Sequence, residues 1–186
     1  MIARIKLMKL HALLAAFSLP IALMFFITGS LYTWGIKGSY TNTEYPVELT
    51  QALQPNLEAL TALAITQLNT LNLSYPSGKA KIKTIGDHYQ LEWTGAARDI
   101  TIEATNDPLI AKLTVKETSW YRHLVQLHKA KGGVVFKVYA IIFAIIMGLL
   151  LISGCMMAWQ TPKLKRLSMG AFTLGAISFL LVVSAS

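Results

Sequence analysis

Acidic residues are scarce: there are nine in 186, all between residues 37 and 117. Charged residues make up 14% of the chain against 54% hydrophobic ones, and mean hydropathy is +0.49, which excludes an ordinary soluble globular protein. Cysteine is nearly missing. The lone Cys155 permits no intramolecular disulfide, leaves the redox compartment unread, and sits in an apolar run where a buried small residue is expected. No H-x-x-H, C-x-x-C, H-E-x-x-H, G-x-S-x-G or glycine-rich phosphate loop occurs, so zinc, thiol-redox, serine-hydrolase and nucleotide chemistry lack their usual sequence marks. Asp87, Glu92, Asp99 and Glu103 have no spacing that pairs an acid with a base. His88, following a Gly-Asp turn, reads as a solvated strand residue.

What the chain has in quantity is apolar sequence flanked by basic residues. Residues 1–36 carry Arg4, Lys6 and Lys9 without an acid; residues 37–117 hold nine acids against seven bases; residues 118–186 carry seven bases and no acid, giving +3, −2 and +7. Basic charge beside apolar segments suits anionic headgroups, whereas a nucleic-acid partner would call for a basic patch on the folded domain.

Leu10–Ile36 is long enough to cross about 30 Å of hydrocarbon at about 1.5 Å per residue. It exceeds the roughly 7–15 apolar residues of a secretory signal and ends without an A-x-A site, so an uncleaved anchor is expected. Pro20 lies mid-span, and Tyr32 and Trp34 fall where interfacial aromatics belong. Val134–Trp159 is a second span and Leu167–Val183 a shorter third, with Lys163, Lys165 and Arg166 in a basic turn between them. Lysine and arginine bias places the amino terminus and that turn in the cytoplasm, and residues 37–131 outside.

Between the first two spans the texture is that of a small polar domain. Thr41–Tyr45 reads as irregular; Leu53, Leu57, Leu60, Ala64, Leu68 and Leu71 recur at helical spacing, with Pro55 and Asn56 marking the helix start. Four runs alternate with period two: Lys79–Ile85, His88–Thr94, Asp99–Thr105 and Leu109–Lys116. Alternation predicts an antiparallel sheet with one wet face and one covered by the preceding helix. Trp120–Lys131, aromatic and basic, suits a segment lying at the membrane interface.

Two span ends repeat one signature. Ile27-Thr28-Gly29 with Trp34, and Ile152-Ser153-Gly154 with Trp159, both read I-[TS]-G-x4-W, and Leu-His precedes each span at Leu10-His11 and Leu127-His128. A duplicated hairpin accounts for the match, with Thr28, Gly29, Ser153 and Gly154 as helix-packing positions. Leu-His before a span ending in Thr-Gly, a helix-plus-sheet domain, then L-H-K-A-K-G-G before a span ending in Ser-Gly and a basic turn resemble the PepSY-associated transmembrane proteins, in a short form. The resemblance implies an extracytoplasmic PepSY-like domain and, from larger relatives, an association with iron-siderophore uptake and inner-membrane reduction, in some with haem on transmembrane histidines. By position only His11 and His128 match, as haem b axial ligands. The chain has three conventional spans and no further intramembrane histidine.

In antiparallel spans His11 and His128 would stand roughly a bilayer thickness apart, so one iron could not take both, and a bis-histidine site would need a second subunit. His123 and His128, about 140° apart around a helix, would not share a metal. The expectation is an α+β membrane protein of the bacterial inner membrane. Its parts are a basic tail with helix 1 (residues 1–36), a periplasmic α+β domain (37–118), an interfacial segment (119–133), a second span (134–160), a basic turn (161–166) and a third span (167–186). Its function reads as a binding or accessory subunit of a redox or iron-uptake system, without a catalytic residue or metal of its own. Its partners would be the lipid bilayer and either other membrane subunits or a second copy. The alternative is a haem-b electron-transfer protein using His11 and His128.

Overall fold

The structure is a computed structural model that describes residues 4–86 and 88–186; Asp87, expected in a tight turn, lies outside the described residues. The element order is α1 (Arg4–Thr33), β1 (Tyr40–Glu48), α2 (Leu57–Thr70), β2 (Ala80–Ile85), β3 (His88–Trp93), β4 (Arg98–Ala104), β5 (Ile110–Thr118), α3 (Trp120–His128), α4 (Gly133–Trp159) and α5 (Pro162–Ser184). Two compact units result, one of Leu23–Tyr139 and one of Met1–Ala22 with Ala140–Ser186.

In the first of these the strands form one antiparallel sheet in the order β1-β5-β4-β3-β2. Alternation sets Leu91, Ile100, Ile102, Leu113 and Val115 on one face, where α2 covers them with Leu60, Ala64 and Leu68. Burying several such side chains at about 1.5–3 kcal/mol each is the main force holding the domain together. The other face is wet and laced with ion pairs. Lys112 lies 2.7 Å from Glu103 and 3.6 Å from Glu44, tying β5 to both neighbours. The Glu103 hydrogen bond, with both carboxylates beside it, holds the Lys112 ammonium above its ordinary pKa.

Asn56 caps α2, its Oδ1 accepting from the backbone N–H of Glu58 and Ala59, so Pro55 lies just outside the helix and not in its first turn. Leu53 also lies before the helix, packed against the core from the loop. The helix stops at Asn72, whose φ of 53° lets Leu73 N–H reach Leu68 O and Asn72 N–H reach Asn69 O, a Schellman ending that comes before Tyr75-Pro76. The segment expected to be irregular, Thr41–Tyr45, belongs to β1. It is an edge strand, mostly exposed, whose order comes from its pairing with β5.

α1, α4 and α5 are each long and apolar enough to cross a membrane. The 30 residues of α1 rise about 45 Å and include Pro20. Lys163, Lys165 and Arg166 lie within α5, which starts at Pro162 because proline fits a first helical turn; residues 161–166 are therefore not a turn. Cys155 is exposed on α4, not buried.

Candidate functional site

Each repeated signature contributes half of two small polar clusters. In the unit of Leu23–Tyr139, His128 ends α3, where Ser119 caps the helix start and the chain leaves through a second Schellman ending. Ala130 has φ 59°, Ala130 N–H reaches Leu127 O and Lys131 N–H reaches Gln126 O. Two glycines then turn the chain into α4. A Cβ on Gly132 would lie 2.6 Å from the Phe136 Cβ, and Gly133 has φ 74°. So the L-H-K-A-K-G-G run is a helix ending, a left-handed residue and a tight re-entry.

This places His128 Nδ1 2.7 Å from Thr28 Oγ1. Thr28 is 1% exposed, and its hydroxyl donates its one proton to Met24 O at 2.6 Å. It therefore accepts from the histidine, which fixes the neutral ring as the Nδ1–H tautomer by its hydrogen-bond partners. Phe25 lies against the ring at 4.7 Å between centroids, and Gly29 lets α1 approach, since a Cβ there would come within 3.3 Å of His128 Cε1. A pocket of about 270 Å³ opens beside the cluster, lined in part by Tyr32, Thr33 and Lys129.

The other unit holds a counterpart. His11 Nδ1 lies 2.8 Å from Ser153 Oγ, the serine hydroxyl donates to Leu150 O at 3.1 Å, and a Cβ on Gly154 would lie 3.8 Å from His11 Cε1. The pairing is crosswise: the histidine of each Leu-His meets the hydroxyl residue and glycine of the other copy's I-[TS]-G. The exchange joins residues 142 and 100 positions apart, so no local sequence signal pairs each histidine with its hydroxyl.

A further polar node, which no sequence pattern marks, centres on Tyr40, the first residue of β1. Its hydroxyl accepts from Arg122 Nη2 at 3.0 Å and from Gln126 Nε2 at 2.8 Å and donates to Asp99 Oδ2 at 3.4 Å, while the Arg122 guanidinium lies 4.6 Å from the Tyr40 ring. Gln126 is fully buried. The node fixes α3 to the sheet, and with it the level of His128. Gly38 belongs to the same junction, since a Cβ there would lie 2.8 Å from Arg122 N.

The family described as the PepSY-associated TM region matches residues 2–161, which takes in both clusters and stops just before α5. The chain belongs to that family. No curated protein and no solved structure matches it. In this PepSY-associated chain His11 is the only histidine of its unit, and His88, on β3, and His123, on α3, share a unit with His128. No group of three or more His, Cys, Asp or Glu residues could hold a metal ion among the described residues. A haem tested against these residues finds one hydrogen-bonded imidazole at each cluster, with a glycine against its Cε1 edge. Neither cluster supplies a second axial ligand, so the residues present do not by themselves complete a bis-histidine site.

Proposed function

We propose that this chain is a binding or accessory subunit without chemistry of its own, in a membrane redox or iron-uptake complex of the bacterial inner membrane. Its amino terminus is cytoplasmic and residues 37–118 lie outside. Its two histidines act as hydrogen-bonded locks between helices. The observation that carries this reading is the crosswise pairing: both imidazoles spend Nδ1–H on a hydroxyl that is itself anchored to its own helix. Family membership supports the membrane setting, and the basic flanks support the orientation. The test is the size of the assembly in mild detergent and after cross-linking in native membranes. A larger, defined complex is expected; a strictly monomeric species in both would contradict the proposal.

One observation favours a second reading, haem-b electron transfer. An imidazole whose Nδ1–H is already held by a neighbour presents Nε2 with its lone pair free, the form in which histidine ligates a metal. His11 and His128 would then each need a ligand from another chain. The visible spectrum of protein purified with haem supplied separates the readings. A Soret band lost in His11→Ala or His128→Ala selects the second; a colourless, folded preparation removes it.

A further inference from the structure

Two ammonium groups converge on one tyrosine ring with no ion-paired acid among the described residues. Lys37 Nζ lies 5.4 Å and Lys129 Nζ 5.7 Å from the centroid of Tyr32, so the two charges are at most about 11 Å apart, close to the screening length of about 8–10 Å at ordinary salt. Lys81, Lys83, Lys112 and Lys131 each have a carboxylate within 4.0 Å; among the described residues Lys37 and Lys129 have none. Neither lysine sits on a free strand of chain. The carbonyl of Lys37 accepts from Arg122 Nη1 at 3.0 Å, and Lys129 is the C-cap residue of α3, its N–H bonded to Val125 O. The backbone thus holds two like charges near each other, an arrangement that an anion between them would relieve.

The surroundings say which anion. Tyr32 is in the last turn of α1, Trp34 is 84% exposed just beyond it, and Trp120 is 79% exposed at the start of α3. Indole rings left open beside the end of an apolar helix mark the level of the membrane–water boundary. Lys129 and Tyr32 line the pocket of about 270 Å³, together with Thr33 and the apolar side chain of Val125. A free phosphate would use only the lysines. A phospholipid would use the lysines together with the pocket that Lys129 and Tyr32 line, at the boundary level that the exposed indoles mark.

We infer that Lys37, Lys129 and Tyr32 form a headgroup site for an anionic phospholipid, with the phosphate between the two ammonium groups. The site needs no haem and no protein partner. It is tested with the full chain in nanodiscs of phosphatidylglycerol or phosphatidylcholine, by lipid retention in native mass spectrometry and by thermal unfolding. The variants are Lys37→Gln, Lys129→Gln, the double variant and, as a charge-matched control on the sheet domain, Lys79→Gln. Phosphatidylglycerol is expected to be retained over phosphatidylcholine, about five-fold more weakly for each site lysine removed, with the control unchanged. Unfolding in phosphatidylcholine is expected to be the same for all variants, which separates lost binding from lost fold. Equal retention of the two lipids by the parent protein, or full retention by the double variant, overturns the site. Stabilisation by millimolar inorganic phosphate in detergent, lost in the double variant and with no lipid preference, would show a free-anion site and overturn the lipid assignment.

Discussion

At His128 the imidazole lies 2.7 Å from a threonine hydroxyl that is 1% exposed, and a Cβ added at Gly29 would meet its ring at 3.3 Å. At His11 the corresponding separations are 2.8 Å, to a half-buried serine, and 3.8 Å from Gly154. The hydroxyl anchors differ in the same sense, 2.6 Å to Met24 O for Thr28 and 3.1 Å to Leu150 O for Ser153. The same short words of sequence therefore close one cluster tightly and the other with room to spare. Surroundings explain the difference. His128 ends a helix pinned to the sheet through Tyr40, Arg122 and Gln126, and Phe25 backs its ring, whereas His11 lies along a membrane helix.

Removing one partner of the tight pair should do the most damage. Thr28→Val leaves the part-buried His128 N–H without its acceptor and should cost about 1–3 kcal/mol, against about 1 kcal/mol or less for Ser153→Ala at the looser site. Thermal unfolding in detergent, followed by circular dichroism, reads both, and equal losses would break the comparison. Next in size is Gly29→Ala. The new methyl must push His128 or α1 aside, for an expected loss of about 1–2 kcal/mol. Ala130→Gly should stabilise by about 1 kcal/mol, because Ala130 holds φ 59° directly after the α3 ending and glycine relieves that strain. Smallest is Gly154→Ala, expected between neutral and about 0.5 kcal/mol stabilising, because 3.8 Å is ordinary contact and alanine favours the helix. Opposite signs for Gly29→Ala and Gly154→Ala would be the sharpest form of the contrast.

Much of this architecture is visible in the sequence, because apolar length and period-two alternation are local signals. The three long helices, α2 and the strands from β2 to β5 could be read in this way, as could the wet and covered faces of the sheet. β1 could not, since Thr41, Thr43 and Glu44 carry no alternation and the strand is defined by β5, some seventy residues away in register. Lys163, Lys165 and Arg166 read as a turn by their charge, yet Pro162 ahead of them fits a first helical turn and they belong to α5. The clusters were half legible. His11, His128, Thr28, Gly29, Ser153 and Gly154 stand out as a repeated pattern, but their partnerships join residues 100 and 142 positions apart. Only the antiparallel meeting of one span's start with the other's end could have paired them.

The bond from His128 Nδ1–H to Thr28 is what closes the tight cluster. A double-mutant cycle of His128→Leu and Thr28→Val, read by unfolding of the full chain in detergent, measures that bond apart from the packing around it. A coupling of about 1 kcal/mol or more is predicted. Additive losses, with the double variant paying the full sum of the two single ones, would contradict it.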